Sequence, residues 1–477
     1  MEKSPAVKTI MEAAREIKVC YEADVVVVGG GPGGIGSAIA AARNGAKTVL
    51  IERYGHLGGM ASGGLVNIIP NLSDISGKQH IAGLCQELID RMDARGAADF
   101  PRKEDWGSTD RKLVDRYLDS GLSWFYIRND LNINKQRVLY TALVDPEVLK
   151  DELNSMVVDA GVKLYLHSWG AAAIMEENTV KGVIFESKSG RQAILGQVVI
   201  DSSGDGDIFL SAGAEFDGKI KPGSRLENLA LAFWLVNVDI RKADDFKASQ
   251  PEKYAELMQE LAGLGGFTHY FKDLLKDQDN VVWFHPFFPS PDQKDVEELT
   301  RVDVTARRRV LITYEFLKKH IPGFEKSFIM LTAPQLGTQG GRRVIGEYIL
   351  TEKDMISDEI FDDTIAVFAN NDNAEISAKH PSICIPYRCL VPRRIEGLLV
   401  ACRAFSSEDS VNTHFNLVPH CICLGQAAGT AAALATKNGV IPRDVSYTAM
   451  QKRLIGQGVL LPDELRVKTE TETVDVS

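Results

Sequence analysis

The sequence predicts an α/β fold: parallel strands alternate with helices around a nucleotide-binding core, and an α+β unit is inserted into that core. Three observations predict it. The run Asp24-Val25-Val26-Val27-Val28 ends in Gly29-Gly30-Gly31-Pro32-Gly33-Gly34 and is followed by a small-residue stretch and a second apolar run, Lys47 to Ile51. A second apolar run, Val198-Val199-Ile200-Asp201, enters the glycine turn Ser202-Ser203-Gly204-Asp205-Gly206-Asp207. Near the C-terminus, Leu398-Leu399-Val400 precedes a long stretch of small residues from Ala427 to Ala435.

The elements follow in order. Residues 24–28 are β-branched and too few for a helix, so they form a buried parallel strand. Ile35 to Asn44 is an Ala-rich helix closed by Gly45, and Lys47 to Ile51 is the next strand, completing a βαβ unit. Gly29, Gly31 and Gly34 satisfy G-x-G-x-x-G. The first allows the tight turn, the second lets backbone N–H groups reach a pyrophosphate, and the third lets helix and strand close up, with Gly36 expected to face the strand as well. The phosphates then meet a positive helix end. Glu52 closes the second strand 18 residues after Gly34, where a carboxylate accepts from ribose hydroxyls and repels a 2′-phosphate. Val162 to His167 is a further strand, and Val180 to Ser187 pairs with Gln192 to Ile200 around Lys188-Ser189-Gly190. The final small-residue helix ends at Asn438-Gly439 by left-handed capping.

Composition narrows the classes. Of 477 residues, 44% are apolar and 25% charged, as in ordinary globular chains. A net charge of −11 disfavours nucleic acid or an anionic membrane as partner. The longest uncharged stretch, Ser410 to Thr436, is interrupted by Asn412, His414, Asn416, His420 and Gln426, so no membrane span is expected. Glu2, Glu12 and Glu16 among Lys3, Lys8, Arg15 and Lys18 do not make a signal peptide, and the cytoplasm is the expected compartment. Cys384, Cys389, Cys402, Cys421 and Cys423 are spaced like neither a zinc ribbon nor a ferredoxin, so no metal is expected and core packing accounts for them.

After Glu52 comes a second glycine-rich loop, Arg53-Tyr54-Gly55-His56-Leu57-Gly58-Gly59-Met60-Ala61, where a plain NAD domain would start its next helix. With the run from Asp24 to Asn67 it resembles the FAD-dependent oxidoreductases of the glutathione-reductase superfamily, in particular a bacterial family labelled FAD dependent oxidoreductase. The turn at 202–207 and the last segment, with Val418-Pro419-His420-Cys421 and Gly425-Gln426-Ala427-Ala428-Gly429, resemble two further blocks of that family. The resemblance covers about 20–67, 140–216, 335–355 and 383–437. It implies a Rossmann-like FAD-binding domain of glutathione-reductase type in three segments, 20–67, 140–216 and 383–445, with a substrate-domain insertion at 68–139 and a substrate or cap domain at 217–382. It assigns noncovalent FAD to Gly29, Gly31, Pro32, Gly33, Gly34, Glu52, Arg53, Gly58, Gly59, Met60, Ala61, Ser62, Gly170, Ser203, Gly204, Asp205, Arg403, Gly425, Gln426 and Ala427. It also implies that the last helix aims its positive end at the flavin ring.

Two departures bear on chemistry. Thr413-His414-Phe415-Asn416 stands where the family often has Gly-Ser-x-Arg, removing a usual positive group, and Thr338 to Gly341 replace a more usual Arg-Glu-Thr. The expected activity is dehydrogenation or reduction of a small organic substrate by hydride transfer, with an external electron acceptor or donor and a possible homo-oligomer. A flavoprotein electron-transfer subunit of a larger complex and a thiazole-synthase-like enzyme are the alternatives. They are disfavoured by the lack of cluster-spaced cysteines and, for the second, by the large insertions and absent iron-binding histidines. Catalytic candidates are His414 and His420 for proton exchange and Arg342, with Arg343 beside it, as an anion fork, one of the pair serving a structural ion pair. His56 is expected to orient backbone. Trp283 to Pro289 either walls an apolar pocket or packs in the insertion.

Overall fold

The computed structural model describes residues 9–118, 123–272, 275, 278–290 and 292–471. Glu2, Lys3 and Lys8 of the N-terminal reading lie outside them. The nucleotide-binding core comprises β1 (Lys18–Val28), α1 (Pro32–Arg43), β2 (Thr48–Ile51), β3 (Lys163–Tyr165), β4 (Trp169–Glu176), β5 (Thr179–Ser187), β6 (Gly190–Asp201), β7 (Leu398–Val400) and α2 (Val418–Asn438). One sheet of seven strands runs β3-β2-β1-β6-β5-β4, with β7 paired to β6 off this path. β1 is parallel to β2, with Val25 opposite Thr48, and to β6, with Val25 opposite Val198. The first half of β6 pairs antiparallel with β5, while its last residues, Val199 to Asp201, pair in parallel with β7. Thus β6 carries the antiparallel β4–β5 layer and still delivers its own C-terminal end to the parallel sheet. Val25 to Val28 are buried because both faces of β1 are covered, which is why they are continuously apolar instead of alternating.

Helices α1 and α2 lie side by side and parallel. A Cβ at Gly425 would fall 2.1 Å from the Gly33 carbonyl oxygen, and one at Gly429 2.1 Å from that of Ser37, so the helices touch through backbone. Gly36 belongs to this contact. Its absent Cβ would meet the Ile422 carbonyl oxygen at 2.4 Å, so it faces α2 and not a strand as expected. α2 is apolar and long enough to cross a membrane by length and composition, with a mean hydropathy of 1.2, but 94% of that window is buried inside the fold. The five C-terminal-region cysteines are all buried and free, Cys421 and Cys423 within α2 and Cys402 just after β7.

A second core gathers residues from two stretches of the chain: Leu65, Ile68, Val114 and Val138 join Phe233, Trp283, Phe284, Val310 and Phe324. Phe233–Val236 pairs antiparallel with Val281–Phe284 and with Phe328–Thr332, and a 25-residue helix, Val296–His320, packs beside them. Asn228–Ala230 pairs with Phe287–Pro289 and with Gly337–Thr338. These strands have two to five residues, too short for an alternation to be read from the sequence, so the segment looked helical and aromatic. Trp283 and Phe284 are interior residues of this core, with 1% and 0% exposure, which is the packing alternative and not a pocket wall.

Candidate active site

A cavity of about 410 Å³ begins at the first glycine turn and runs between the sheet and the inserted core. At its first end Gly29, Gly31, Pro32 and Gly33 meet Glu52, Arg53, Tyr54 and Trp169. Gly29 has φ +98°, and a Cβ there would strike the Ser202 carbonyl oxygen at 2.4 Å, so only glycine lets the two turns approach. α1 starts without a side-chain cap and without an acid in its first turn, so its first N–H groups are left for a ligand. Glu52 is 6% exposed and accepts from Gly30 N at 2.5 Å and Tyr54 N at 2.8 Å. Burial pushes its carboxyl above the usual range, and the Tyr54 and Gly30 N–H groups pull it back. The Arg53 guanidinium lies 4.9 Å from the Tyr54 ring centre and 5.0 Å from that of Trp169. A side recess shares Glu52, Arg53 and Trp169 and adds Ser168, Gly170 and Asp207.

The second turn forms the next stretch of wall, with Ser203, Gly204 and Asp205. Asp201, fully buried, shapes it by accepting from Ser203 N, Ser203 Oγ, Ile208 N and Phe209 N. Ser203 Oγ in turn accepts from the N–H groups of Gly206 and Asp207. Arg403, following β7, pairs with Asp205 at 2.5 Å and donates to Thr338 Oγ1, joining the second turn, the last strand and the cap sheet.

At the far end the wall is Asn416, Leu417 and Val418 at the start of α2, with Arg225, Gln293, Leu299, Thr300, Pro334, Gln335 and Leu336 from the inserted core. α2 also starts without a side-chain cap or a first-turn acid. Gly33, one residue into α1, is level with Gly425, seven residues into α2, so at ~1.5 Å per residue the start of α2 projects about 9 Å beyond that of α1. Gln335 Oε1 is buried and without a partner. Arg225 donates to Asn416 Oδ1 at 2.6 Å, to the Thr413 carbonyl and to Gln339 Oε1. It places a guanidinium on the very stretch, 413–416, where the sequence lacks its usual arginine. Neither residue was picked out by sequence reasoning; the departure at 413–416 was the available signal, and it did not say where a replacement charge came from.

The three expected catalytic side chains do not line the cavity. Arg342 donates to the Asp205 carbonyl at 3.0 Å and stands 3.7 Å from Asp207, supporting the second turn from behind. Arg343 is the structural ion-pair member, bound to Asp217 and Asp409. His414 is partly buried in the short helix Asp409–Phe415. His420 is fully buried, its ring 4.3 Å from that of Phe368, with neither nitrogen partnered. His56 Nε2 is likewise buried and unpartnered. Gly425, Gln426 and Ala427 serve packing: Gln426 Oε1 accepts from Leu84 N and its Nε2 donates to Gln457. Gly58, Ala61 and Ser62 shape the second loop, Ser62 Oγ donating to the Leu57 carbonyl at 2.5 Å, and Gly34 abuts the Gly29 carbonyl.

Burial pushes His420 down to about 3, and His285 in the cap core to about 4. The unfolded chain takes up a proton at each near the ordinary histidine value of 6.5 and the native fold does not. Stability is therefore full above that pH and falls on acidification, by about 1.4 kcal/mol per pH unit per histidine. At pH 5 each costs about 2 kcal/mol. Urea unfolding at pH 7 and pH 5 is expected to show His420→Leu losing less on acidification than the parent; equal losses would mean that His420 is protonated in the fold.

A family model described as FAD dependent oxidoreductase matches residues 24–454. The chain belongs to that family. It is 34% identical over 142 residues to the glutathione reductase of Schizosaccharomyces pombe, a match covering 28% of this chain and 27% of that protein. The p-nitrophenol 4-monooxygenase of Pseudomonas putida DLL-E4 superposes with a TM-score of 0.45 at 13% identity, over 92% of this chain and 85% of the other. The L-proline dehydrogenase of P. horikoshii superposes with a TM-score of 0.41 at 12% identity, over 92% and 100%.

This oxidoreductase is an enzyme and its cofactor is FAD. The residues fit it: two uncapped helix starts about 9 Å apart along parallel axes open on one cavity, and Glu52 stands beside the first. A Cβ at Gly31 would have only Gly59 Cα near it, at 3.9 Å, so that face of the turn is open to a diphosphate. On the expectation that Glu52 accepts from ribose hydroxyls, Glu52→Ala removes those charge-assisted bonds and, in the fold itself, frees the Gly30 and Tyr54 N–H groups. FAD affinity is expected to fall by roughly 1.5–3 kcal/mol, about tenfold to hundredfold, in equilibrium dialysis. Unchanged retention would take Glu52 out of the ribose site.

Proposed function

We propose that this oxidoreductase transfers a hydride between FAD and a small organic substrate at the far end of the cavity, in a dehydrogenation or a reduction, and exchanges the electrons with an external acceptor or donor. The supporting observation is that the cavity extends past the start of α2 to side chains of the inserted core. Bound FAD supplies the hydride chemistry. In this reading Gly29 to Gly33 and the start of α1 hold the diphosphate, Glu52 the ribose, and Trp169 with Gly170 the adenine. Leu299, Pro334, Leu336 and Val66 exclude water from the far end, and Gln335 orients what binds there. Among the described residues the lining contains no histidine. The Cys421 thiol is pushed up to about 12 by burial and keeps its proton. The substrate proton is then exchanged with solvent at the open side of the cavity, with His414 and His420 supporting the wall.

Purified protein is expected to be yellow, to release FAD on denaturation and to bleach anaerobically with its substrate. Flavin retained after acid precipitation, or a colourless protein that cannot be reconstituted, counts against the reading. A proton-transfer group in the site contributes about 10²–10⁴-fold to rate. His414→Ala is therefore expected to keep flavin reduction per bound FAD within about tenfold of the parent, as rapid mixing reads it; a loss of 10² or more would return the proton to His414.

A further inference from the structure

We propose that Arg225 binds a carboxylate of the substrate, so that the substrates of this enzyme are small organic acids. The proposal rests on the reading of the cavity as a flavin site with its substrate end at the inserted core.

Arg225 lines the cavity, and its three hydrogen bonds go to neutral acceptors, Gln339 Oε1, the Thr413 carbonyl and Asn416 Oδ1. A guanidinium has five N–H donors, so two remain. Among the described residues no carboxylate pairs with it. The nearby acid, Asp372, stands 3.6 Å from Arg128 and accepts from Asn71. The histidines that feel its charge, His285, His414 and His420, are all held toward the neutral form, first by burial, so they neither offset nor add to it. Desolvating an arginine without an ion-pair partner is costly, and the fold keeps the side chain in place with three bonds to neutral groups; burial pulls its pKa down more than the through-space charge of Asp372 raises it.

The other charges of the lining are satisfied differently. Arg403 has Asp205, Glu52 has two backbone N–H groups, and Asp303, on the wall beside Leu299 and Thr300, is paired with Arg307 at 3.0 Å. Arg53 lies at the adenosine end, over Tyr54 and Trp169. Arg225 instead stands beside Asn416, just before α2, about 9 Å along the helix axes from the loop that takes the diphosphate. The diphosphate therefore does not neutralise it. A guanidinium that keeps Nε–H and one Nη1–H free, next to a helix start that has no acid of its own, matches a carboxylate by charge and by single donated hydrogen bonds.

The test uses the FAD-loaded protein, with benzoate and its uncharged isostere benzamide as probes and calorimetry as the readout. The parent is expected to bind benzoate at least tenfold tighter than benzamide. Arg225→Gln is expected to lose roughly 10- to 100-fold in benzoate affinity while benzamide binding and FAD retention hold. Arg225→Lys, which keeps the charge without the free Nε–H and Nη1–H donors, is expected to fall between them and serves if the glutamine variant does not fold. Equal binding of the two probes, no binding of either, or a benzoate preference that survives both substitutions would overturn the proposal. So would a shifted flavin midpoint potential in Arg225→Gln with the benzoate preference intact, since that assigns the charge to the flavin ring. Arg225-dependent benzoate binding in a protein whose oxidised flavin no organic acid reduces and whose reduced flavin no organic acid reoxidises would instead leave the carboxylate site standing and refute the hydride-transfer reading.

Discussion

Gly425→Val is expected to lower stability by at least about 3 kcal/mol and to strip the enzyme of FAD. The new Cβ would lie 2.1 Å from the Gly33 carbonyl oxygen and 3.0 Å from Ser37 N, both backbone atoms that no rotamer change can move. Overpacking a well-fitted contact costs about 1–3 kcal/mol, and the branched side chain drives two backbones apart, which places this case at or beyond the upper end. Because Gly33 is also cavity wall, the strain is transmitted to the diphosphate loop. Thermal unfolding and flavin content per chain check it. Gly439→Ala is the control: it sits at the left-handed cap of α2 with φ +66° and nothing within 4 Å, so it is expected to cost about 1 kcal/mol without loss of flavin. A Gly425→Val protein with full flavin and an unchanged midpoint would show that α1 and α2 separate freely.

Arg343→Met is expected to destabilise by about 3 kcal/mol, with flavin reduction per bound FAD unchanged. The guanidinium is 2% exposed and pairs with Asp217 at 3.0 Å and Asp409 at 3.2 Å, while also donating to the Ser407 and Lys219 carbonyls. Removing one member of a buried pair typically costs 3–5 kcal/mol because the partner charge is left behind. Asp217 is 40% exposed at its side chain and recovers some hydration, which selects the lower end. Urea unfolding followed by fluorescence reads the loss. A slowed flavin reduction with normal stability would reverse the assignment and make Arg343 a substrate group.

The nucleotide-binding half was legible because its determinants are local. Four consecutive valines buried on both faces, a glycine turn, a small-residue helix and Glu52 lie within 30 residues, and each is required by backbone contacts formed inside the unit or with the next strand. The turn at Ser203 to Asp205 was readable for the same reason. What the sequence did not reveal is which side chains meet at the far end. Arg225 reaches Asn416, 191 positions away in the chain, and Gln335 sits in the bend between Phe328–Thr332 and Gly337–Thr338, strands too short to leave a pattern.

Proximity in sequence also misled where direction mattered. His420 lies two residues after Val418, a cavity residue, but on a helix each residue turns by about 100°, so His420 points instead against Phe368 and Phe415. Adjacent Arg342 and Arg343 part in the same way, because successive side chains of an extended segment take opposite faces: one supports the Asp205 turn and the other is sealed between two aspartates. The sequence by itself determined the cofactor fold, since phosphate cradling and strand burial are imposed by residue types at fixed short spacings. Tertiary structure alone decided the far end of the cavity, since there Arg225, its neutral partners and its distance from the first glycine turn arise from segments that meet only after the chain has folded.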